Sequence, residues 1–126
     1  MNTAAISAPQ LICLLQDSAA GQTADLAAVE LIARHNHYLH QPAFRRLIAA
    51  GTSVLTGEPV LTIRWQAAIT ALEAGRLHAT SSERAVLRIA ASIGDHDIPV
   101  HLREILGSLD HRNITLIAAA ITQANG

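Results

Sequence analysis

The side chains from which chemistry could be built are histidines and arginines. The chain holds seven of the first and nine of the second, and not one lysine, in 126 residues. Without lysine there is no Schiff-base nucleophile, no phosphate-loop lysine and no lysine base. One histidine group is His35, His37 and His40, in the run H-N-H-Y-L-H. On a helix, positions 37 and 40 share a face while 35 and 37 do not. In a loop all three could converge, but no Cys or carboxylate stands nearby in sequence to complete a tetrahedral metal site. The run reads as a solvated helix terminus, where imidazoles complement the helix dipole. A second group is Asp95, His96, Asp97, His101 and His111. Carboxylates and imidazoles together make metal sites or acid–base pairs, which makes His96, His101 and His111 the candidate ligands. Helix boundaries account for the two acids, with Asp97 as a cap beside Pro99 and Asp95 as a loop residue after Gly94. No bound metal and no cofactor is expected.

Nucleophiles are equally bare of context. Ser53, Ser81, Ser82, Ser92 and Ser108 lie outside any G-x-S-x-G elbow. Cys13 stands alone among Leu11, Ile12, Leu14 and Leu15, so no intramolecular disulfide exists and the thiol reads as a small buried hydrophobe. The stretch Gly51 to Gly57 has glycine at both ends, but it lacks the lysine and the preceding strand of a phosphate loop. No catalytic residue is assigned, and the chain is not expected to be an enzyme.

Arginine offers binding rather than catalysis, because a guanidinium grips phosphate or carboxylate through two parallel N–H donors. Arg45 and Arg46 open the exposed side of one helix, Arg84 and Arg88 form a ridge one turn apart on another, and Arg112 lies in the first turn of the last. These five are the candidate contacts for an anion, a nucleic acid or a protein partner. Tyr38, Phe44 and Trp65 are the only aromatics, too few to stack on a single strand. A net charge of −1 supplies no field to draw in nucleic acid or a membrane surface.

The elements that must hold these groups are helices. Half of the residues are hydrophobic, and with three aromatics the core must come from Leu, Ile, Val and the 24 alanines. Alanine has the highest helix propensity and lets helix axes approach closely. Ser7 and Gln10 form a capping box before a helix over Ala8 to Ala20, which Gly21 ends. Thr23 caps a second helix to about His35. Pro42 opens a third helix to Ala50, with Phe44, Leu47 and Ile48 inward, and Gly51 ends it. Thr52 to Glu58 is a loop in which Val54 and Leu55 could pair as an edge strand. Pro59 opens a fourth helix to about Ala74, with Leu61, Trp65, Ala68 and Leu72 on one face.

Thr80 to Gly126 completes the chain as a section of three helices. Thr80 and Glu83 form a second capping box, followed by Val86, Ile89, Ala90 and Ile93 at helical spacing. Gly94 supplies the C-cap. Pro99 starts a short helix with Leu102, Ile105, Leu106 and Leu109 on its buried side. Asp110 caps the last helix, whose stripe is Ile114, Ile117, Ala118 and Ile121. Helix, short helix, turn and helix is also the outline of a helix-turn-helix. Its last helix, however, offers only His111, Arg112 and Asn113 to read bases.

The pattern ERAVLRIAASI…IPVHLREILGSLDHRNITLIAAAITQANG, with FRRLIAAGTS…RWQAAITALEAGRL before it, resembles small lysine-poor helical proteins of actinobacteria. The resemblance covers roughly Leu26 to Gly126. It implies a helical fold and a cytoplasmic compartment, and no mechanism.

These readings converge on an all-α fold, a compact single-domain bundle of six to seven short helices over residues 1–126, with a trihelical C-terminal section and flexible residues 1–6. There is no membrane span and no secretory signal, so the expected compartment is the cytoplasm. Only 15% of residues are charged and mean hydropathy is +0.27. So little charge on a small domain predicts an exposed apolar patch, and such patches mark interfaces. The expected function is a non-enzymatic interaction or assembly module, self-associating as a homo-oligomer. The alternative is a small DNA-binding regulator that uses residues 80–126.

Overall fold

A computed structural model describes residues 3–126; Met1 and Asn2, part of the terminus expected to be flexible, lie outside the described residues. Among the described residues the chain forms seven α-helices, one 3-10 turn and one two-stranded sheet, a mostly helical small domain. α1 (Ala8–Ala19) starts as its sequence requires. The Ser7 hydroxyl accepts from the Gln10 N–H, and the Gln10 side chain accepts from the Ser7 N–H. Cys13, expected inside, lies on the exposed side of α1. α2 (Thr23–His35) begins one residue earlier than expected, with Gln22 and not Thr23 at its cap. It ends at Asn36, whose φ of 58° is a left-handed conformation that asparagine tolerates better than most residues. The 3-10 turn Tyr38–His40 follows, then α3 (Pro42–Arg45).

From here the structure departs from the helical expectation. The helix expected to run from Pro42 to Ala50 stops after one turn, and Ile48–Thr52 form a strand, β1. The helix expected from Pro59 to Ala74 begins as a second strand, β2 (Pro59–Ile63), and turns helical only at α4 (Trp65–Glu73). The strands pair antiparallel, with Ile48 opposite Ile63 and Thr52 opposite Pro59. Val60, Thr62 and Ile63 are β-branched and suit a pleated surface. Leu61 and Ile63 are buried while Thr62 is exposed, which is the two-residue period of a strand. The misleading signal was Leu61. It lies four residues before Trp65 and so mimics the next position of the α4 stripe. Ser18 on α1 accepts the N–H of Leu61 at 2.8 Å and ties the sheet to the helical body.

The hairpin loop is built by its own polar atoms. The Ser53 hydroxyl accepts from the N–H groups of Leu55 and Thr56, and Gly57 supplies a φ of 71° that closes the turn. Val54 and Leu55 belong to no strand; they stand at the tip, almost fully exposed.

α5 (Ser81–Gly94) carries the Thr80–Glu83 capping box in both directions. α6 is shorter than expected, covering only Leu102–Leu106, and it starts after His101 rather than at Pro99. α7 (His111–Ala124) is capped by Asp110, whose carboxylate accepts the Asn113 N–H at 2.8 Å. α2 is the central helix, packed against α5 on one side and α7 on another, while α1 lies across α2 and β2. Ala27, Ala28, Ala85, Ala90 and Ala91 are buried along α2 and α5, where the absence of bulk lets the helices approach. Tyr38 and Phe44 are fully buried, with ring centroids 5.4 Å apart.

Gly94 is a glycine for a reason other than capping. Its φ is not in the left-handed region. A methyl group there would stand 2.5 Å from Cε2 of Trp65 and against its Nε1, so the indole occupies the space that any side chain would need. Gly94→Ala is expected to destabilise the fold by about 1–3 kcal/mol, the usual range for overpacking. Urea unfolding checks this; an unchanged midpoint would mean that the indole moves aside freely.

Candidate functional site

The five candidate arginines have different fates. Arg45 is half-buried and spent on the backbone. Its Nε donates to the Leu39 carbonyl at 2.7 Å, and its Nη1 donates to the carbonyls of Thr3 and Ile6 at 3.1 and 2.7 Å. It clamps residues 3–6, expected to be flexible, against α3, and Thr3 returns a hydrogen bond to the Arg45 carbonyl. Arg46 is exposed. Arg112 donates to the Arg34 carbonyl at 3.1 Å, where a cation complements the C-terminal end of α2. Arg84 donates to the Leu72 carbonyl and Arg88 to the Glu73 carboxylate, each at 3.3 Å. These two stand side by side over the last turn of α4 and line a groove between α5 and α6 that also contains His101. The structure brings Arg84, Arg88 and His101 together; it does not join Arg45, Arg46 or Arg112 to them.

The histidines divide in the same way. Asp95, His96 and Asp97 place one donor atom each within 4.8 Å of one another, the sole such group among the described residues, and His101 and His111 are not part of it. Turn geometry accounts for the group. Asp95 Oδ1 accepts the Asp97 N–H at 2.9 Å, and the His96 ring lies 3.3 Å from Asp97 on an open surface. His111 is exposed at the first position of α7.

The run His35 to His40 holds more than a solvated terminus. His35 is only 5% exposed. His37 Nδ1 lies 3.1 Å from Glu83 Oε2, and its Nε2 is within hydrogen-bonding distance of the Gln41 amide and the His78 carbonyl. Gln41 also donates to the His78 carbonyl and accepts the His78 N–H, so one side chain zips two loops together. Tyr38 donates its hydroxyl to the Glu83 carbonyl at 2.7 Å. On the far side, Asn113 is buried and donates to the Ser82 hydroxyl, which in turn accepts the Asp110 N–H. The result is a polar joint locking the end of α2, the 3-10 turn, the α4–α5 link and the starts of α5 and α7. Gln41 lies only four residues from His37, but His78 and Asn113 could not be read as members of the joint, because their partners lie about thirty to forty residues away in the chain.

Electrostatics follows from this burial. Burial pushes the His35 pKa below its ordinary value of 6.5; His37 and Arg112 push the same way, while Glu83 and Asp110 oppose them. For Glu83, partial burial acts upward, but the Thr80 N–H, His37 and the Thr80 hydroxyl together hold the carboxyl below its ordinary value. Burial, aided by Glu83, drives the Tyr38 hydroxyl well above its ordinary value. The joint contains an acid, a base and a phenol, but its Ser82 and Thr80 hydroxyls are already engaged, Ser82 by Asp110 and Asn113 and Thr80 by Glu83.

Apolar residues stand outside as well. Leu102 and Leu106 on α6 and Ile114 and Ile121 on α7 were expected to face the core, yet they remain between 43% and 52% exposed. α7 instead buries Asn113, Ile117 and Ala120, the stripe that meets α2 and α5. Its Ile114, Ala118 and Ile121 lie along the neighbouring flank and reach solvent. No helix among the described residues is long and apolar enough to cross a membrane. No protein-family model, curated protein or solved structure matches the chain.

Proposed function

We propose that the protein is a non-enzymatic helical interaction module that associates with a second copy of itself through the outer flank of α7 and the exposed side of α6. The observation that carries this reading is the apolar flank Ile114, Ala118 and Ile121, together with Leu102 and Leu106, on a domain with little charge elsewhere. The spacing i, i+4, i+7 makes a straight stripe along α7, the kind that packs against its own symmetry mate in a two-fold dimer. Covering the exposed half of one such side chain contributes about 1 kcal/mol. The four large ones on each of two copies then give on the order of 8 kcal/mol, against an association cost of at least about 4 kcal/mol. That margin of at most about 4 kcal/mol corresponds to a Kd of about 1 mM, a weak dimer that fills as the concentration approaches the millimolar range, rather than an obligate one.

The same surface argues against the DNA-reading alternative. A recognition helix must turn polar side chains outward. Here Asn113 is buried, Arg112 is held by the Arg34 carbonyl, and the outward flank is apolar.

Light scattering across the micromolar to millimolar range is expected to show an average mass rising above 13.4 kDa. Ile121→Glu, at an exposed site, should return the mass to that of the monomer without altering the fold. A constant monomer mass at every concentration would remove the proposal.

A further inference from the structure

The groove between α5 and α6 encloses about 410 Å3, within the size range of small-molecule sites. One wall is a single stripe of α5: Ser81, Arg84, Ala85 and Arg88, spaced i, i+3, i+4, i+7. The other wall carries His101 and Glu104, with Val100 and Ile105 between them and the floor of the core. We infer that this groove binds a small organic oxyanion, a phosphate monoester or a carboxylate. Its acidic group sits on the Arg84 and Arg88 guanidiniums, and its body lies against Ala85, Val100 and Ile105.

Three observations carry the assignment. Arg84 and Arg88 are like charges one helical turn apart, which repel; among the described residues Glu73 offsets Arg88 alone, while Arg84 is bonded only to a neutral carbonyl. Each guanidinium has five N–H donors, and among the described residues each has one protein bond at 3.3 Å, Arg84 to the neutral Leu72 carbonyl and Arg88 to the Glu73 carboxylate, the latter long for a charged pair. Those bonds draw both side chains toward the last turn of α4 and leave most of their N–H donors open to the groove. The concave wall, part apolar, focuses their field on the groove rather than on open water. His101, at the mouth, adds a ring N–H that can donate to the same oxyanion. Glu104 stands in the same groove, and no ion pair among the described residues joins it to either arginine. It therefore opposes an incoming anion, which gives the proposal a test with a sign.

The experiment titrates inorganic phosphate, phenyl phosphate and benzoate into 15N-labelled protein at constant ionic strength, following backbone amide shifts. Phenyl phosphate, benzoate or both are expected to shift residues 81–88 and 99–108 saturably and to bind more tightly than inorganic phosphate, which has no body for the apolar wall. The tighter of the two organic probes identifies the headgroup. Arg88→Gln, on a surface pair, should weaken binding by about tenfold, the loss of one charge-assisted contact. Glu104→Gln should tighten it by roughly threefold or more. Both sites are solvent-accessible, so both variants keep the fold, and dispersed amide spectra verify that. The proposal is overturned by the absence of saturable shifts with all three probes, by shifts centred on Arg46 or Arg112 instead, or by affinity that ignores both substitutions.

Discussion

Replacing Arg45 by methionine is expected to lower the stability of the fold by about 3 kcal/mol, a large fraction of the total for a small domain. Methionine keeps much of the apolar stem, so the loss falls on the three hydrogen bonds to the carbonyls of Leu39, Thr3 and Ile6. A bond between a charged donor and a backbone carbonyl is worth roughly 1.5–3 kcal/mol; solvent access at this half-buried site keeps the sum below three such terms. Arg45→Lys sharpens the test. It keeps the charge but replaces a planar fork by one ammonium, which cannot serve three carbonyls on two segments. Lysine should therefore lose most of what methionine loses. If Arg45 were an anion-binding side chain with no structural duty, both variants would unfold within about 0.5 kcal/mol of the parent, as ordinary surface changes do. Urea midpoints decide between the two, and faster amide exchange at residues 3–6 in the variants would localise the loss.

Acid should weaken the protein from near neutrality downward, and His35 is the first cause. Its folded value is depressed, so the fold favours the neutral ring and the unfolded chain binds the proton more readily. That contribution is complete above 6.5, the ordinary value of the ring, and is lost as the pH falls below it. Glu83 acts in the same direction further down. Its folded value is also depressed, so its contribution is present above 4.5 and is lost below. The slope for one proton cannot exceed about 1.4 kcal/mol per pH unit. Two units of acidification below neutrality therefore remove stability progressively, by no more than about 3 kcal/mol through one such group. Tyr38 works at the other end: a raised value favours the neutral phenol, so its contribution holds below pH 10 and is lost above. His35→Leu is expected to flatten the limb that begins below pH 6.5 and to leave the loss below pH 4.5, to which Glu83 contributes. Melting temperature against pH for parent and variant is the measurement. Parallel curves would show that the buried ring does not set the limb.

Both results turn on side chains whose roles the sequence presented differently. Arg45 and Arg46 are neighbours in sequence, and nothing in the pair marks one as a clamp and the other as solvent-exposed. His35, His37 and His40 read as one polar run, although the left-handed turn at Asn36 sends the first ring inward and leaves the third exposed.

The sequence by itself determined the local boundaries. Ser7 with Gln10, Thr80 with Glu83, and Asp110 each start a helix where they stand, because a cap needs only partners three residues away. It determined the helical character too, since alanine-rich stripes at helical spacing bury well only against other helices. Tertiary structure decided the rest. The stretch Ile48 to Ile63 became a hairpin because each strand offered the other a ladder of backbone hydrogen bonds and offered α1 a buried edge, benefits that neither segment has alone. The flank of α7 that stays outside was decided by how much of its wide apolar surface α2 and α5 could cover. The gathering of Arg84, Arg88, His101 and Glu104 around one groove was decided by the path of the chain between α5 and α6. Each of these depends on contacts between residues far apart in the chain, and periodicity within a single segment carries no record of them.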